Sequence, residues 1–201
     1  LITAGHNIEN IDLGGGIGVS YDKNVKSFSL DEYADLVKKK FGSINCKLIF
    51  EPGRYIAADA GILLTKVIRN KESYDNRFIV VDAAMNDLAR PALYDSYHQI
   101  TPIKQRAGDN LKKNQISSDV VGPICESGDY FCKNRMLPKT GEGDYLALLS
   151  AGAYGFVMAS NYNTRTFPAE VLVKGNQAEV VRKRQKTKQL WASESVPKWL
   201  K

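Results

Sequence analysis

The chain has 201 residues, of which 43% are hydrophobic and 25% are charged. No apolar run approaches the roughly 18–20 residues of a bilayer-spanning helix, so the composition favours a globular protein that does not contact membranes. The net charge of +6 arises in residues 174–201, which carry eight Lys or Arg and two Asp or Glu. This tail has no interleaved aromatic platform and no recognised nucleic-acid motif, and we interpret it as a solvated surface.

The three cysteines are few and odd in number: Cys46, Cys125 and Cys132. Their spacing matches no common zinc site. We therefore predict reduced thiols in a cytoplasmic protein without a metal, and we expect Cys46 and Cys132 to be small buried hydrophobic residues.

The first elements predicted in chain order form a strand–helix–strand unit. A strand at Asn10–Leu13 runs into the glycine cluster Gly14–Gly18, and a helix follows over Ser29–Phe41, with Ser29 as its cap. A second strand, Lys47–Phe50, ends at Glu51-Pro-Gly-Arg54. Ligands gather at the C-terminal ends of strands in parallel α/β folds, so both turns are candidate binding elements.

After Tyr55 the pattern changes to short apolar or β-branched runs separated by turn signals. The predicted strands are Gly61–Ile68, Arg77–Val81, Ser118–Val121, Tyr145–Leu149 and Ala169–Val173. Such spacing, without long helical patterns, indicates an antiparallel sandwich or barrel. We predict an α+β protein with one unit at residues 1–58 and a β domain at residues 59–201.

The two turns of the first unit suit an anionic ligand, although each also has a purely structural interpretation. Glycines such as Gly15 and Gly16 let backbone N–H groups approach a phosphate closely, but a glycine cluster can also be only a tight turn. In the second turn Glu51 could pair with a protonated ring nitrogen and Arg54 could bind a carboxylate or phosphate. The alternative there is an internal Glu–Arg pair.

The β region carries three further motifs. Arg90-Pro-Ala-Leu-Tyr94 places a guanidinium four residues from a phenol, and Cys125 stands beside Glu126 on a predicted loop. A neutral cysteine thiol could donate a proton there. Tyr154 lies between small residues after a strand, where it could present its hydroxyl to a ligand.

Taken in order, these motifs resemble the diaminopimelate decarboxylase family. The resemblance runs from about Ile11 to about Val173 and includes Ser160-Asn-Tyr-Asn163. Members of that family are pyridoxal-phosphate enzymes with a TIM-type βα barrel followed by a C-terminal β domain. The resemblance implies the last βα units of such a barrel at residues 1–58, and a cytoplasmic homodimer whose Cys-Glu loop completes the partner's active site.

The resemblance also implies roles for individual residues. The cofactor phosphate would be bound by Gly15, Gly16, Gly53, Arg54 and Tyr154, and Glu51 would pair with the pyridine nitrogen. The far end of the amino-acid substrate would be bound by Arg54, Arg90, Tyr94, Glu126 and Tyr154. Cys125 would protonate the carbon that loses CO2.

Two features of the family lack a counterpart in the chain: the lysine that holds pyridoxal phosphate as a Schiff base, and a histidine that stacks on its ring. We expect both to lie in sequence upstream of Leu1, so that this chain alone is inactive and binds the cofactor weakly or not at all. His6 and His98 are interpreted as ordinary polar or core histidines. Two alternatives stay open: a decarboxylase for ornithine, arginine or a polyamine precursor, and a non-catalytic binding or regulatory protein.

Overall fold

The computed structural model describes residues 1–22, 25, 28–73, 76–104 and 115–200. Its first unit contains β1 (Asn10–Asp12), α1 (Leu30–Phe41) and β2 (Lys47–Ile49), and β1 and β2 pair in parallel. This is the predicted strand–helix–strand unit, which is the repeating element of a βα barrel. Parallel pairing brings the C-terminal ends of β1 and β2 to the same edge.

The sequence of α1 explains both its ends. Ser29 caps the helix by accepting a hydrogen bond from the Glu32 N–H at 3.2 Å, and acidic residues occupy the first turn. Lys38–Lys40 lie in the last turn, where they interact favourably with the helix dipole. Gly42, the residue after the helix, keeps a right-handed helical conformation. Val37 is the buried residue of α1.

The rest of the chain builds mainly strands. Two short elements, α2 (Gly53–Ala57) and a single 3-10 turn (Ala58–Ala60), lead from β2 into this region. The elements that follow are β3 (Leu63–Ser73), β4 (Asn76–Val81), α3 (Arg90–Tyr94), β5 (Ile100–Pro102), β6 (Gln115–Val121), β7 (Tyr130–Pro138) and β8 (Tyr145–Leu148). They form one nearly closed six-stranded sheet in the order β5-β8-β3-β4-β6-β7, which corresponds to the barrel alternative of the α+β prediction.

The sheet follows the predicted antiparallel arrangement except at one strand pair, so it is mixed. Four strand pairs are antiparallel, but β4 and β6 run parallel, with Phe78 opposite Asp119. Parallel neighbours need a long crossover, and the connection between β4 and β6 provides one, which the structure describes over residues 82–104. That crossover includes α3 and β5, and it is where Arg90 and Tyr94 are found.

The core lies on the inner face of this sheet. Along β4 burial alternates, so that Ile79 and Val81 are fully buried. Phe131 and Leu148 join them, and burying each such side chain contributes about 1.5–3 kcal/mol. Cys132 belongs to this core, as predicted, and burial raises the pKa of its thiol. Cys46, by contrast, is only partly buried.

A separate hairpin follows the sheet. β9 (Glu170–Lys174) and β10 (Gln177–Arg182) pair antiparallel across a turn at Gly175, whose φ is +58°. β9 corresponds to the strand predicted at Ala169–Val173, and β10 was not predicted. In the part of the chain that the structure describes, no helix has the length and apolarity required to cross a membrane.

Candidate active site

The two turns that follow β1 and β2 are joined directly. The Leu13 N–H donates to the Ile49 carbonyl at 3.0 Å, which extends the parallel pairing by one residue. The Glu51 N–H then donates to the Gly14 carbonyl at 2.8 Å. The glycine turn and the Glu51-Pro-Gly-Arg54 turn therefore form one continuous surface at the edge of the first unit.

Glycine is required within this surface for two different reasons. Gly14 and Gly16 have φ values of +66° and +79°, which side chains rarely adopt. A Cβ on Gly15 would lie 2.4 Å from the Glu51 carbonyl oxygen, so close packing of the two turns excludes any other residue there. The backbone N–H groups of Gly15 and Gly16 donate no hydrogen bond to another described residue.

The side chains of Glu51 and Arg54 do not pair with each other. Glu51 is exposed and Arg54 is half-buried, and neither side chain forms an ion pair or hydrogen bond with another described residue. The predicted alternative of an internal Glu–Arg pair is therefore wrong, and both groups are available to a ligand. The Gly53 N–H already donates to the Glu51 carbonyl at 2.8 Å, so Gly53 does not offer that donor to a phosphate.

The loop that carries Tyr154 packs against the residues that follow Arg54. A Cβ on Gly152 would lie 2.0 Å from the Ala57 carbonyl oxygen, and the Ser150 hydroxyl donates to the Asp59 carboxylate at 2.5 Å. Tyr154 has a φ of +57° and is 47% exposed. The structure thus attaches the Tyr154 loop to α2, which begins at Gly53, and leaves the phenol accessible.

The two predicted binding residues on α3 differ sharply in exposure. Tyr94 is 62% exposed, whereas Arg90 is buried at the start of α3. The Arg90 Nη1 donates to the Tyr21 hydroxyl at 2.6 Å and lies 3.4 Å from the His98 Nε2. Tyr21 lies in the loop that follows the glycine cluster, so Arg90 connects α3 to the first unit.

The Cys125-Glu126 loop is accessible and carries a further tyrosine. Cys125 is exposed, and the Glu126 carboxylate accepts hydrogen bonds from the Gly128 N–H at 3.1 Å and the Tyr162 hydroxyl at 3.2 Å. The hydrogen bond to Glu126, together with its negative charge, raises the pKa of Tyr162. Tyr162 belongs to the Ser160–Asn163 motif, so the structure brings two separate sequence motifs together.

A buried carboxylate anchors that loop. Asp129 accepts hydrogen bonds from the Met85 and Ile124 N–H groups, both at 2.7 Å, and burial raises its pKa. A Cβ on Gly122 would lie 2.4 Å from the Asp129 carboxylate, so that glycine makes room for it. The sequence analysis did not single out Asp129 as a site residue, although it closes the motif that contains Cys125.

The segment just before α3 joins these elements. The Ser160 N–H donates to the Asn86 carbonyl at 2.9 Å, and the Arg165 side chain donates to Asn86 Oδ1 and to the Asp82 carbonyl. Since Met85 is held by Asp129, this one segment contacts the Cys-Glu loop and the Ser160–Asn163 motif and leads directly into Arg90. Its composition gave no local signal of that role.

A cavity of about 600 Å³ lies against the loop that follows the glycine cluster. Its lining includes Ser20, Tyr21, Val25, Phe28 and Tyr97, and is largely apolar. In the described ranges no three His, Cys, Asp or Glu side chains are grouped as metal ligands.

Comparison with known proteins gives consistent matches. Residues 21–152 match the family model described as pyridoxal-dependent decarboxylase, C-terminal sheet domain. The diaminopimelate decarboxylase of Zymomonas mobilis is 48% identical over 98% of the chain, and that of Aquifex aeolicus is 43% identical over 92%. The crystal structure of diaminopimelate decarboxylase from Helicobacter pylori complexed with L-lysine superposes with a TM-score of 0.85, at 39% identity over 96% of the chain.

The relatives that the chain matches are longer than the chain itself. The chain covers 46% of the Zymomonas protein, 43% of the Aquifex protein and 46% of the Helicobacter chain, so it spans about half the length of these relatives. The family model nevertheless covers all six strands of the sheet, β3 to β8, together with α1, β2 and the glycine-turn exit at Tyr21. The chain therefore belongs to the pyridoxal-dependent decarboxylase family, and its residues 21–152 match the C-terminal sheet domain of that family.

Proposed function

We propose that this chain supplies the C-terminal part of a cytoplasmic enzyme that decarboxylates meso-2,6-diaminopimelate to L-lysine and CO2, with pyridoxal 5'-phosphate as cofactor. The observation that carries the proposal is that five ordered sequence motifs lie in one connected set of loops, in a chain whose close relatives are named diaminopimelate decarboxylase. A random arrangement of the same motifs would leave them on unconnected surfaces.

The residues of the first unit fit the cofactor. The N–H groups of Gly15 and Gly16, which have no described partner, suit a phosphate, and the half-buried Arg54 adds positive charge on the second of the two joined turns. The exposed Glu51 carboxylate would accept a hydrogen bond from the pyridine nitrogen. The bound cofactor supplies an electron sink for the electrons that CO2 loss leaves behind. Tyr154 would contribute its hydroxyl from the loop attached to α2.

The substrate carries a second amino-acid group at its far end, and the chain offers groups of suitable charge. Arg90 and Arg54, with the Tyr94 hydroxyl, suit the distal carboxylate, and Glu126 suits the distal ammonium. Each hydrogen bond to a charged group contributes roughly 1.5–3 kcal/mol, so a substrate without the distal carboxylate should react far more slowly. Because the product is L-lysine, the reacting end is the D centre and the distal group is retained in the product.

Cys125 is proposed to supply the proton that replaces CO2. Its exposed thiol would transfer the proton from Sγ to the carbon that carried the lost carboxylate, and would regain a proton from solvent. Asp129 keeps the backbone of this loop attached to Met85, so that Cys125 and Glu126 are presented together.

We further propose a homodimer in which the Cys125-Glu126 loop acts on the partner's cofactor. The loop belongs to the β6–β7 connection, whereas Glu51 lies on the first unit, and the resemblance places these groups on different subunits. The test is to mix inactive Cys125→Ala and Glu51→Ala enzymes. Hybrid dimers would contain one intact site, so random exchange should restore about a quarter of wild-type activity. Mixed samples that stay inactive after subunit exchange would contradict a shared site.

The proposed activity is tested with the full-length protein and a panel of amino acids. We expect CO2 release from meso-diaminopimelate, and at least about a hundredfold lower kcat/KM for D-lysine, ornithine and arginine, which lack the distal amino-acid group. Preference for ornithine or arginine would instead support the alternative decarboxylases. Absence of decarboxylation on the whole panel would support a binding or regulatory role.

The 201-residue chain alone is expected to be inactive, because the resemblance assigns none of its lysines to the cofactor. Titration with pyridoxal phosphate should then give no saturable long-wavelength absorbance, and diaminopimelate should release no CO2. A saturable band with turnover would mean that a lysine of this chain holds the cofactor.

A further inference from the structure

His98 is a buried side chain at the meeting point of three segments that carry proposed site residues. It is fully buried (0% exposed) and precedes β5, whose first residue is Ile100. Its ring approaches Arg90 of α3, the edge of Tyr21 at a centroid distance of 5.3 Å, and the Leu149 carbonyl. Sequence analysis interpreted it as an ordinary core histidine, because nothing local distinguishes it.

The chemistry of its two partners determines which ring nitrogen carries the proton. The Leu149 carbonyl can only accept, so Nδ1, at 2.9 Å from it, must be the donor. The Arg90 guanidinium can only donate, so Nε2, at 3.4 Å from Nη1, must present its lone pair. The neutral imidazole satisfies both partners, and burial, with the nearby Arg90 and Arg135 charges, lowers the His98 pKa in agreement with a neutral ring.

The Arg90 Nη1 therefore has two acceptors. Tyr21 supplies the closer one, with its hydroxyl at 2.6 Å, and its ring also lies 4.9 Å from the Arg90 guanidinium carbon. Because a guanidinium is planar and rigid, fixing one terminal nitrogen fixes the direction in which the remaining N–H groups point. Without the His98 acceptor, the guanidinium could pivot about its one remaining hydrogen bond at Nη1, the one to the Tyr21 hydroxyl.

His98 also connects Arg90 to the Tyr154 loop. Leu149 directly follows β8 and directly precedes Ser150, whose hydroxyl is bonded to Asp59. The Leu149 N–H donates to the Gln99 carbonyl at 2.8 Å. Both backbone polar groups of Leu149 are therefore held, its carbonyl by the His98 side chain and its N–H by the backbone of Gln99. A displacement of the imidazole would thus move Arg90 relative to Tyr154.

We propose that His98 is a positioning residue for substrate selection, which orients the Arg90 guanidinium toward the distal carboxylate of the substrate. This inference rests on the proposed function, since it assigns Arg90 to that carboxylate. His98 itself is too deeply buried to contact the substrate, so we infer that it acts through Arg90.

The test compares two substitutions that each keep one of the two hydrogen-bonding functions of the imidazole ring. His98→Gln places a side-chain oxygen near the position of Nε2 and keeps an acceptor for Arg90. His98→Asn keeps a donor near the position of Nδ1 for the Leu149 carbonyl but does not reach Arg90. A residue that only stabilises the Leu149 loop would tolerate asparagine better, whereas one that orients Arg90 would tolerate glutamine better.

The measurement is made on the full-length enzyme with three ligands. In His98→Asn we expect KM for diaminopimelate and the inhibition constant of L-lysine to rise at least about tenfold, since both carry the distal carboxylate. The inhibition constant of 1,5-diaminopentane, which has no carboxylate, should stay unchanged, and kcat should change less than threefold. In His98→Gln all three constants should stay within about threefold of wild type.

Equal effects of the two substitutions, or an unchanged KM in His98→Asn, would overturn the inference while leaving the proposed function intact. Lack of diaminopimelate decarboxylation by the wild type would overturn both. If His98→Asn does not fold, ¹⁵N NMR of the wild type decides: L-lysine binding should shift the His98 Nε2 resonance, and an unshifted resonance at saturation rejects the inference.

Discussion

The Asp129 carboxylate accepts a 2.7 Å hydrogen bond from the Met85 N–H, 44 residues earlier in the chain. It accepts a second from Ile124, so one buried group holds two loops. Asp129→Asn replaces one acceptor oxygen by an amide that cannot accept, and one backbone N–H is left unpaired. We expect the free energy of unfolding to fall by about 1–3 kcal/mol in urea titrations. Asp35→Asn, which alters only an exposed ion pair with Lys38, is the matched control and should cost under about 1 kcal/mol.

Packing of the two turns predicts opposite results for two glycines. Gly15→Ala would place a methyl group 2.4 Å from the Glu51 carbonyl oxygen and force the turns apart, whereas a Cβ on Gly18 meets nothing within 4 Å. A shift of about 1 Å in a phosphate site is enough to lose much of its function. We expect Gly15→Ala to weaken pyridoxal phosphate binding to the full-length protein at least about tenfold, and Gly18→Ala to bind as wild type. Equal affinities, measured by equilibrium dialysis, would contradict the proposed phosphate site.

Substitutions at Glu126 and Tyr162 separate the effect of the Glu126 charge from the effect of the hydrogen bond that Glu126 accepts from Tyr162. Glu126→Gln removes the negative charge proposed to bind the distal ammonium, so we expect kcat/KM for diaminopimelate to fall at least about tenfold. Tyr162→Phe removes only the donor 3.2 Å from Glu126, and kcat/KM should fall less than about threefold. Both rates are measured at saturating cofactor. The distal role of Glu126 is refuted if glutamine supports the wild-type rate.

The neutral state of His98 predicts a pH dependence of stability. Burial lowers its pKa in the folded protein, and Arg90 and Arg135 add to this effect. Between that lowered pKa and the unfolded value of about 6.5, the unfolded chain binds more protons, so stability falls as the pH decreases below about 6.5. We expect urea midpoints to fall more between pH 7.5 and pH 5.5 for wild type than for His98→Gln. The two proteins differ only at residue 98, so the difference between their slopes reports on His98; parallel slopes would mean that burial does not lower the pKa of His98.

The strands that were not predicted show why the alternation of apolar and polar residues can fail to reveal a strand. β7 (Tyr130–Pro138) contains Asn134 with a φ of +49°. The Asn134 N–H donates to the Asp119 carboxylate on β6. The pairing register shifts nearby, and alternation of buried and exposed residues breaks down along β7. β10 has no alternation because every residue in it is exposed. Where one face alone is buried, as in β4, the pattern predicted the strand correctly.

The residues of the candidate site likewise fall into those that the sequence predicted and those that only the structure revealed. Motifs that place several unusual residues together, such as Glu51–Arg54 and Cys125–Glu126, are visible in the sequence, and the resemblance assigned roles to them. His98 and Asp129 are defined by their partners, of which Leu149 is 51 residues from His98 and Met85 is 44 residues from Asp129. No local pattern encodes such pairings, because they depend on how the sheet brings the loops together.

The β9–β10 hairpin has a practical consequence for work with the isolated chain. Its side chains Val171, Leu172, Val173, Val180 and Val181 are 52–66% exposed, on a two-stranded ribbon with open edges. A ribbon of this kind is a template for further strand pairing. Purified samples should therefore associate through it at high concentration, and a sedimentation coefficient measured on them would describe strand addition between hairpins. The subunit arrangement of the enzyme has to be determined on the full-length protein, at low concentration and with the substitution Val171→Lys or Val173→Lys.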